Sequence, residues 1–193
     1  MSKISKGNNF ISLSDYDRDD ILSVMQGIST YDDQNLKRFI PNKKKLIANL
    51  FYEPSTRTSS SFYAAATYLG YEVLSINNVQ YSSVAKGESL EDTIRTLASY
   101  VHCIILRHSE EGAAFLASLV SDVPIINAGD GIGEHPTQTL LDLYTIYKKF
   151  NRLDQLTVTL MGDLKYGRTI HSLIQALDLF DTHINLIGPK ELK

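Results

Sequence analysis

Short apolar runs alternate with helix-patterned segments along this chain, and few residues separate most of them. No other feature of the sequence constrains the fold as much. A strand, a helix and a second strand bring the chain back parallel to itself, so the helices must cover both faces of a parallel sheet. The runs 46–52, 72–76, 103–107, 123–128, 157–161 and 184–187 read as strands. Helices are expected over 14–31, 56–69, 88–100, 112–120, 136–150 and 168–179. Ser14 suits the N-cap of the first, with acids in its opening turn. Gly70 is a natural stop for the second. Pro136 fits the first turn of the fifth. The fold class is therefore α/β, a parallel sheet flanked by helices.

With 193 residues the chain can form one full domain and the start of another, and 43% hydrophobic residues can bury a sizeable core. A boundary is expected near 135–150. Residues 1–135 would form the first domain, 136–150 a linking helix, and 151–193 an incomplete second domain. Only 43 residues follow Phe150, whereas an ordinary domain needs about 100. The polar stretch 77–87 is long for a loop in such a fold, which hints at function. The glycine-rich 129–133 stretch is expected to be flexible.

The formal charge of -3 argues against a general nucleic-acid binder, although clustered side chains can still make one pocket positive. Cys103 is the single cysteine, so no intrachain disulfide can form. Its apolar run makes it a buried thiol in a strand, with His102 on the opposite face. The chain starts with a polar, lysine-bearing segment that lacks an apolar signal region, and no stretch nears the roughly 18 apolar residues of a membrane span. A reducing, cytoplasmic setting without membrane contact is expected.

The segment Phe51-Tyr52-Glu53-Pro54-Ser55-Thr56-Arg57-Thr58-Ser59-Ser60-Ser61-Phe62 begins as a strand and ends as a helix. Its turn sets hydroxyls and an arginine where free backbone N–H groups and the positive helix end converge, which is a physical anion site. Ser55 and Thr56 can donate to phosphate oxygens, and Arg57 can bind two oxygens at once. Plain helix capping by Ser55 or Thr56 accounts for the same residues equally well.

Other candidates stand at comparable places. Arg107 ends a strand, and ligands of open α/β sheets gather at that edge. His108 follows it and faces away. His135 and Gln138 share one face of a helix start, where a histidine can donate to a carbonyl oxygen and a glutamine can accept from or donate to an amide. Arg168 opens a helix, a place unfavourable for a cation unless an anion sits nearby. Lys86, taken alone, is a solvated cation on an exposed loop.

Five segments together are similar to the aspartate and ornithine carbamoyltransferases, in the same order over nearly the whole chain. They are Ser55-Thr56-Arg57-Thr58 with Ser61-Phe62, Ser82-Ser83-Val84-Ala85-Lys86-Gly87, Leu106-Arg107-His108, His135-Pro136-Thr137-Gln138, and Gly162-Asp163-Leu164-Lys165-Tyr166-Gly167-Arg168-Thr169. The last segment resembles the aspartate members and not the ornithine ones. The resemblance implies a carbamoyl-phosphate-binding domain followed by the beginning of a second, aspartate-binding α/β domain. It also implies that Ser55, Thr56, Arg57, Thr58, Arg107, His135 and Gln138 bind carbamoyl phosphate. Thr58, Arg107 and His135 would be catalytic, stabilising charge on the carbonyl oxygen. Ser82 and Lys86 would reach the ligand from a neighbouring subunit of a homotrimer. Lys86, Arg168 and Thr169 would bind aspartate, with Glu53 pairing to Arg168 across the cleft. Ser59 stands where many members carry a second arginine, which is expected to make the site less positive.

The reaction implied joins carbamoyl phosphate and L-aspartate to give N-carbamoyl-L-aspartate and phosphate, an early step of pyrimidine synthesis, with no cofactor and no metal. A regulatory subunit is left open by the resemblance. The competing expectations are an ornithine-type or related carbamoyltransferase, and an inactive fragment that only binds carbamoyl phosphate or assembles with a partner.

Overall fold

A computed structural model describes residues 9–29, 44–77 and 86–192, with Arg168 as backbone only. β1 (Leu46–Phe51), β2 (Glu72–Asn77), β3 (Ile104–His108) and β4 (Ile125–Asp130) form one parallel sheet in the order β2-β1-β3-β4. β5 (Leu156–Met161) and β6 (Thr182–Ile187) form a second, two-stranded parallel sheet. The helices are α1 (Arg18–Ser29), α2 (Thr56–Tyr68), α3 (Leu90–Ala98), α4 (Ala113–Val120), α5 (Pro136–Phe150) and α6 (Arg168–Leu177). The α/β class is as expected. The expected loop 77–87 lies mostly outside the described residues.

The central strands β1 and β3 are buried almost throughout, which is why they read as continuous apolar runs. Ala48, Leu50, Ile104, Leu106 and Ile125 pack on one face with Ile94 and Leu97 of α3 and Ala114 and Ala117 of α4. Phe51, Ile105 and Ala128 point the other way and pack with Phe62 of α2. Ser89 caps α3, its side chain accepting from Asp92 N–H at 3.1 Å, and the acids Glu91 and Asp92 lie in the first turn. Gly70 follows α2 with φ +76° and satisfies the expected stop. From β1 the chain goes first to β2 on one side and then crosses to β3 on the other. Loops leaving the C-terminal ends of β1 and β3 therefore diverge and open a crevice.

The start of the chain differs from expectation. Leu13–Asp15 form one 3-10 turn, with Ser12 as its N-cap accepting from Ser14 N–H. The helix begins later, at Arg18, and Asp17 caps it by accepting from Asp20 N–H at 2.9 Å. Leu13 and Tyr16 are buried, so tertiary packing fixes this turn where local propensity alone would extend the helix. Ahead of it, Phe10 pairs in parallel with Ile126 at the edge of β4, and Asn9 Oδ1 accepts from Ile125 N–H at 2.8 Å. Ser12 Oγ donates to Glu134 Oε1 at 2.6 Å, and Leu13 N–H donates to Glu134 Oε2 at 3.3 Å.

The 129–133 stretch is also tied down. Asp130 ends β4 buried, and its carboxylate accepts from Gly112 N–H (3.0 Å) at the start of α4 and from Glu134 N–H (2.9 Å). Gly131 N–H donates to His108 O at 2.9 Å. One buried carboxylate thus joins three chain segments just before His135.

A separate core joins distant parts of the chain. Phe10, Leu13, Tyr16, Ile21 and Met25 pack with Leu143 of α5, with Leu153, and with Leu173, Ala176, Leu177 and Phe180 in and after α6. Val158, Leu160 and Ile184 of the second sheet lie against the same cluster. α1 therefore packs against α5 and the elements around β5 and β6, not against the four-stranded sheet alone. Cys103 precedes β3, and burial pushes its thiol up to about 11. Among the described residues no helix is long and apolar enough to cross a membrane.

Candidate functional site

The crevice between β1 and β3 holds the candidate site. Ser55 occupies the N-cap of α2 with extended backbone (φ −153°, ψ 97°), yet its side chain makes no cap hydrogen bond. The first N–H groups of a helix have no acceptor within it. α2 has no acid in its first turn. An uncapped, acid-free helix start next to Arg57 attracts an anion, so capping no longer explains the hydroxyls.

Asn49 anchors this turn from below. It is fully buried in β1, and its Nδ2 donates to Ser59 O (3.1 Å) and Ser59 Oγ (3.2 Å). Ser59 Oγ in turn lies 3.4 Å from Asn77 Oδ1 at the end of β2. Ser59 is thus turned toward the sheet edge and does not line the cleft. Its neighbours Ser55, Thr56, Arg57 and Thr58 do line it.

Arg107 near the end of β3 keeps only 12% of its side chain exposed. Its Nε donates to Glu53 Oε2 at 3.2 Å, and Nη1 lies 3.5 Å from Ala128 O. Glu53 therefore fixes the guanidinium from the loop after β1. The expected partner of Glu53, the Arg168 side chain, lies outside the described residues. His108, next along, is buried with its ring 4.5 Å from that of Tyr52, and Nδ1 accepts from Glu110 N–H. Burial holds its pKa below the usual histidine value. It is a packed neutral imidazole outside the cleft.

His135 sits buried at the N-cap of α5, with Nδ1 3.3 Å from Thr137 Oγ1. When that hydroxyl donates to Nδ1, the ring proton is on Nε2, which makes Nε2 a donor. One turn on, Gln138 Nε2 donates to Asp142 Oδ1 at 3.0 Å. Burial raises the Asp142 pKa, and the hydrogen bond from Gln138 opposes that rise.

All these groups meet in one cleft of about 900 Å³. Its walls are the loop Pro54 to Thr58, then Ser61, Phe62 and Ala65 of α2, Arg107, and His135, Thr137, Gln138, Leu141 and Asp142 of α5. Thr169 of α6 closes one side. Of the expected site residues, Ser55, Thr56, Arg57, Thr58, Arg107, His135, Gln138 and Thr169 are thus together. Lys86 is exposed and is not part of this wall. Ser82 lies outside the described residues, as does the Arg168 side chain. Among the described residues no group of His, Cys, Asp or Glu could hold a metal ion. Sequence reasoning missed Asn49, Thr137 and Asp142. The i, i+4 spacing of Gln138 and Asp142 is the one signal that could have found a pair.

Residues 8–148 match the family model described as the carbamoyl-phosphate-binding domain of aspartate/ornithine carbamoyltransferase. The chain belongs to the aspartate/ornithine carbamoyltransferase family. A curated relative, the aspartate carbamoyltransferase catalytic subunit of Archaeoglobus fulgidus, is 52% identical over 186 residues, covering 95% of this chain and 62% of the relative. The aspartate transcarbamoylase catalytic subunit of Methanocaldococcus jannaschii superposes with a TM-score of 0.89 at 49% identity, covering 96% of this chain and 62% of that one. The Trypanosoma cruzi aspartate transcarbamoylase, solved in complex with carbamoyl phosphate and aspartate, superposes with a TM-score of 0.85 at 38% identity, covering 97% and 63%. The chain spans about 62% of the length of these carbamoyltransferases.

Proposed function

We propose that this chain is the carbamoyl-phosphate-binding part of an aspartate carbamoyltransferase. The observation that carries this reading is the convergence, in one cleft, of the uncapped α2 start with Arg107, His135 and Gln138. The phosphate lies against Ser55, Thr56 and Arg57, whose backbone and side chains all donate. Thr58, Arg107 and His135 surround the carbonyl oxygen, and Gln138 meets the carbamoyl amide. Family membership and the ligands of the Trypanosoma cruzi relative support this assignment.

In the reaction the α-amine of L-aspartate attacks the carbamoyl carbon. A C–N bond forms, the C–O bond to phosphate breaks, and the amine proton passes to the leaving phosphate. Orientation and charge stabilisation are the protein's whole contribution, and donors already fixed in a partly buried cleft supply it. Arg107, held by Glu53, needs no reorganisation as charge develops. Arg168 and Thr169, with Lys86, are proposed for aspartate. We take residues 1–135 as the carbamoyl-phosphate unit, 136–150 as the linking helix and 151–193 as the start of the aspartate unit.

The test is a thermal-shift titration of the chain with carbamoyl phosphate. At a hundred times Kd, binding to the folded state alone stabilises by about 2.7 kcal/mol, a rise in Tm of roughly 5–10 °C. No shift at millimolar ligand removes the phosphate-loop assignment. Turnover with aspartate and none with ornithine separates the two branches of the family.

Lys86 is exposed and away from the cleft of its own chain, which fits delivery of Lys86 and Ser82 to a neighbour's site in a homotrimer. Light scattering should then report three times the 21.6 kDa of one chain. A monomeric mass at assay concentration excludes shared sites.

A further inference from the structure

Asp142 is a half-buried carboxylate on the cleft wall to which neither the expected chemistry nor the family resemblance gives a role. It lies one helical turn beyond Gln138 on α5, and both side chains line the cleft. The contact between them is Gln138 Nε2 to Asp142 Oδ1, 3.0 Å. An ionised carboxylate only accepts hydrogen bonds, whereas a glutamine amide has a donating end and an accepting end. Asp142 therefore selects one of the two amide orientations, the one with the NH₂ group against the carboxylate. The carbonyl oxygen, Oε1, is then the end left to meet a ligand.

We propose that Asp142 is a positioning residue that fixes Gln138 as a hydrogen-bond acceptor, so that the cleft selects an acyl phosphate bearing an N–H donor. The inference rests on reading this cleft as the carbamoyl phosphate site. Acetyl phosphate is the informative comparison, because it replaces the carbamoyl NH₂ with a methyl group and leaves the phosphate and carbonyl unchanged. A methyl group pressed on Oε1 leaves an acceptor out of water and unpaired. Sites built to hydrogen-bond a ligand N–H reject analogues lacking it far better than sites that sort by size. The loss of one such partner corresponds to about a tenfold or greater difference in affinity.

The experiment measures affinities of the full chain for carbamoyl phosphate, acetyl phosphate and inorganic phosphate by calorimetry at pH 8. The wild-type chain is expected to prefer carbamoyl over acetyl phosphate at least about tenfold. In Asp142→Asn the neighbouring amide can donate as well as accept, so Gln138 is free to turn. The preference should fall about tenfold while inorganic phosphate binds within about twofold of wild type. A purely structural role would weaken all three ligands together. Gln138→Met should lose the same preference, and the double variant should lose no more.

A folded Asp142→Asn chain that keeps the wild-type preference overturns the proposal. If Asp142→Asn does not fold, Gln138→Met decides, and a retained preference there overturns it equally. A wild-type chain that binds both acyl phosphates alike refutes the Gln138 orientation but leaves the site assignment standing. A wild-type chain that binds no carbamoyl phosphate refutes the site assignment itself.

Discussion

Arg107→Ala should lower carbamoyl phosphate affinity by at least about 100-fold. Charge-assisted hydrogen bonds contribute about 1.5–3 kcal/mol each, and this guanidinium can give two to the ligand. A second effect adds to the loss. Arg107 holds Glu53 at 3.2 Å, and its removal leaves that partly buried carboxylate unpaired at the rim of an anion site. The uncompensated negative charge then repels phosphate. Calorimetry at fixed ionic strength reads the loss, with circular dichroism to confirm folding. The double variant Arg107→Ala with Glu53→Gln should recover part of it, because the repelling charge is gone. If the single variant binds within threefold of wild type, Arg107 is not a ligand. If the double variant recovers nothing, Glu53 adds no repulsion.

Gly131→Ala should destabilise the fold by about 3 kcal/mol, which for a chain of this size is a fall in Tm of roughly 6–12 °C. Gly131 has φ +53°, a conformation that costs an L-residue roughly 1–2 kcal/mol. An added Cβ would also lie 2.5 Å from Ser109 O and 3.0 Å from Glu111 N, both backbone atoms that cannot swing aside. Overpacking of this kind costs about 1–3 kcal/mol. The turn cannot open to make room, since Asp130 ties it to Gly112 and Glu134, and Gly131 N–H is bonded to His108 O. A thermal melt shifted by less than 2 °C would show that the turn relaxes. Gly27→Ala, with nothing within 4 Å of the added Cβ, serves as the control and should be neutral or slightly stabilising.

From Leu46 onward the elements were legible because buried parallel strands appear as unbroken apolar runs and the helices between them carry clear ends. Gly70 and Pro136 did this by backbone geometry alone. The start of the first helix is ambiguous in the sequence because Ser12, Ser14 and Asp17 all offer caps within six residues, and burial of Leu13 and Tyr16 decides among them. Local sequence carries no trace of that burial. The hydrogen bonds that hold the glycine-rich stretch are hidden from local sequence for a similar reason. Its restraint comes from one carboxylate reaching a helix start 18 residues earlier. Within the site, Ser55 to Thr58 were legible because a helix begins there. The Glu53–Arg107 pair, 54 residues apart, was not, because only the β1–β3 adjacency brings it together.

The core that joins Phe10, Ile21 and Met25 to Leu173, Leu177 and Phe180 spans almost the whole described chain. Contacts of such sequence separation are slow to form, since a long loop must close before any of them is gained. On the ribosome, the part of this cluster made by Leu173, Ala176, Leu177 and Phe180 is missing until α6 has emerged. The four-stranded sheet can assemble first, as its last strand ends at Asp130. The back of α5 is fully covered only once α6 has emerged, and the front of α5 carries His135 and Gln138. Ligand-binding competence therefore follows the emergence of α6, after the scaffold that presents most of the cleft already exists.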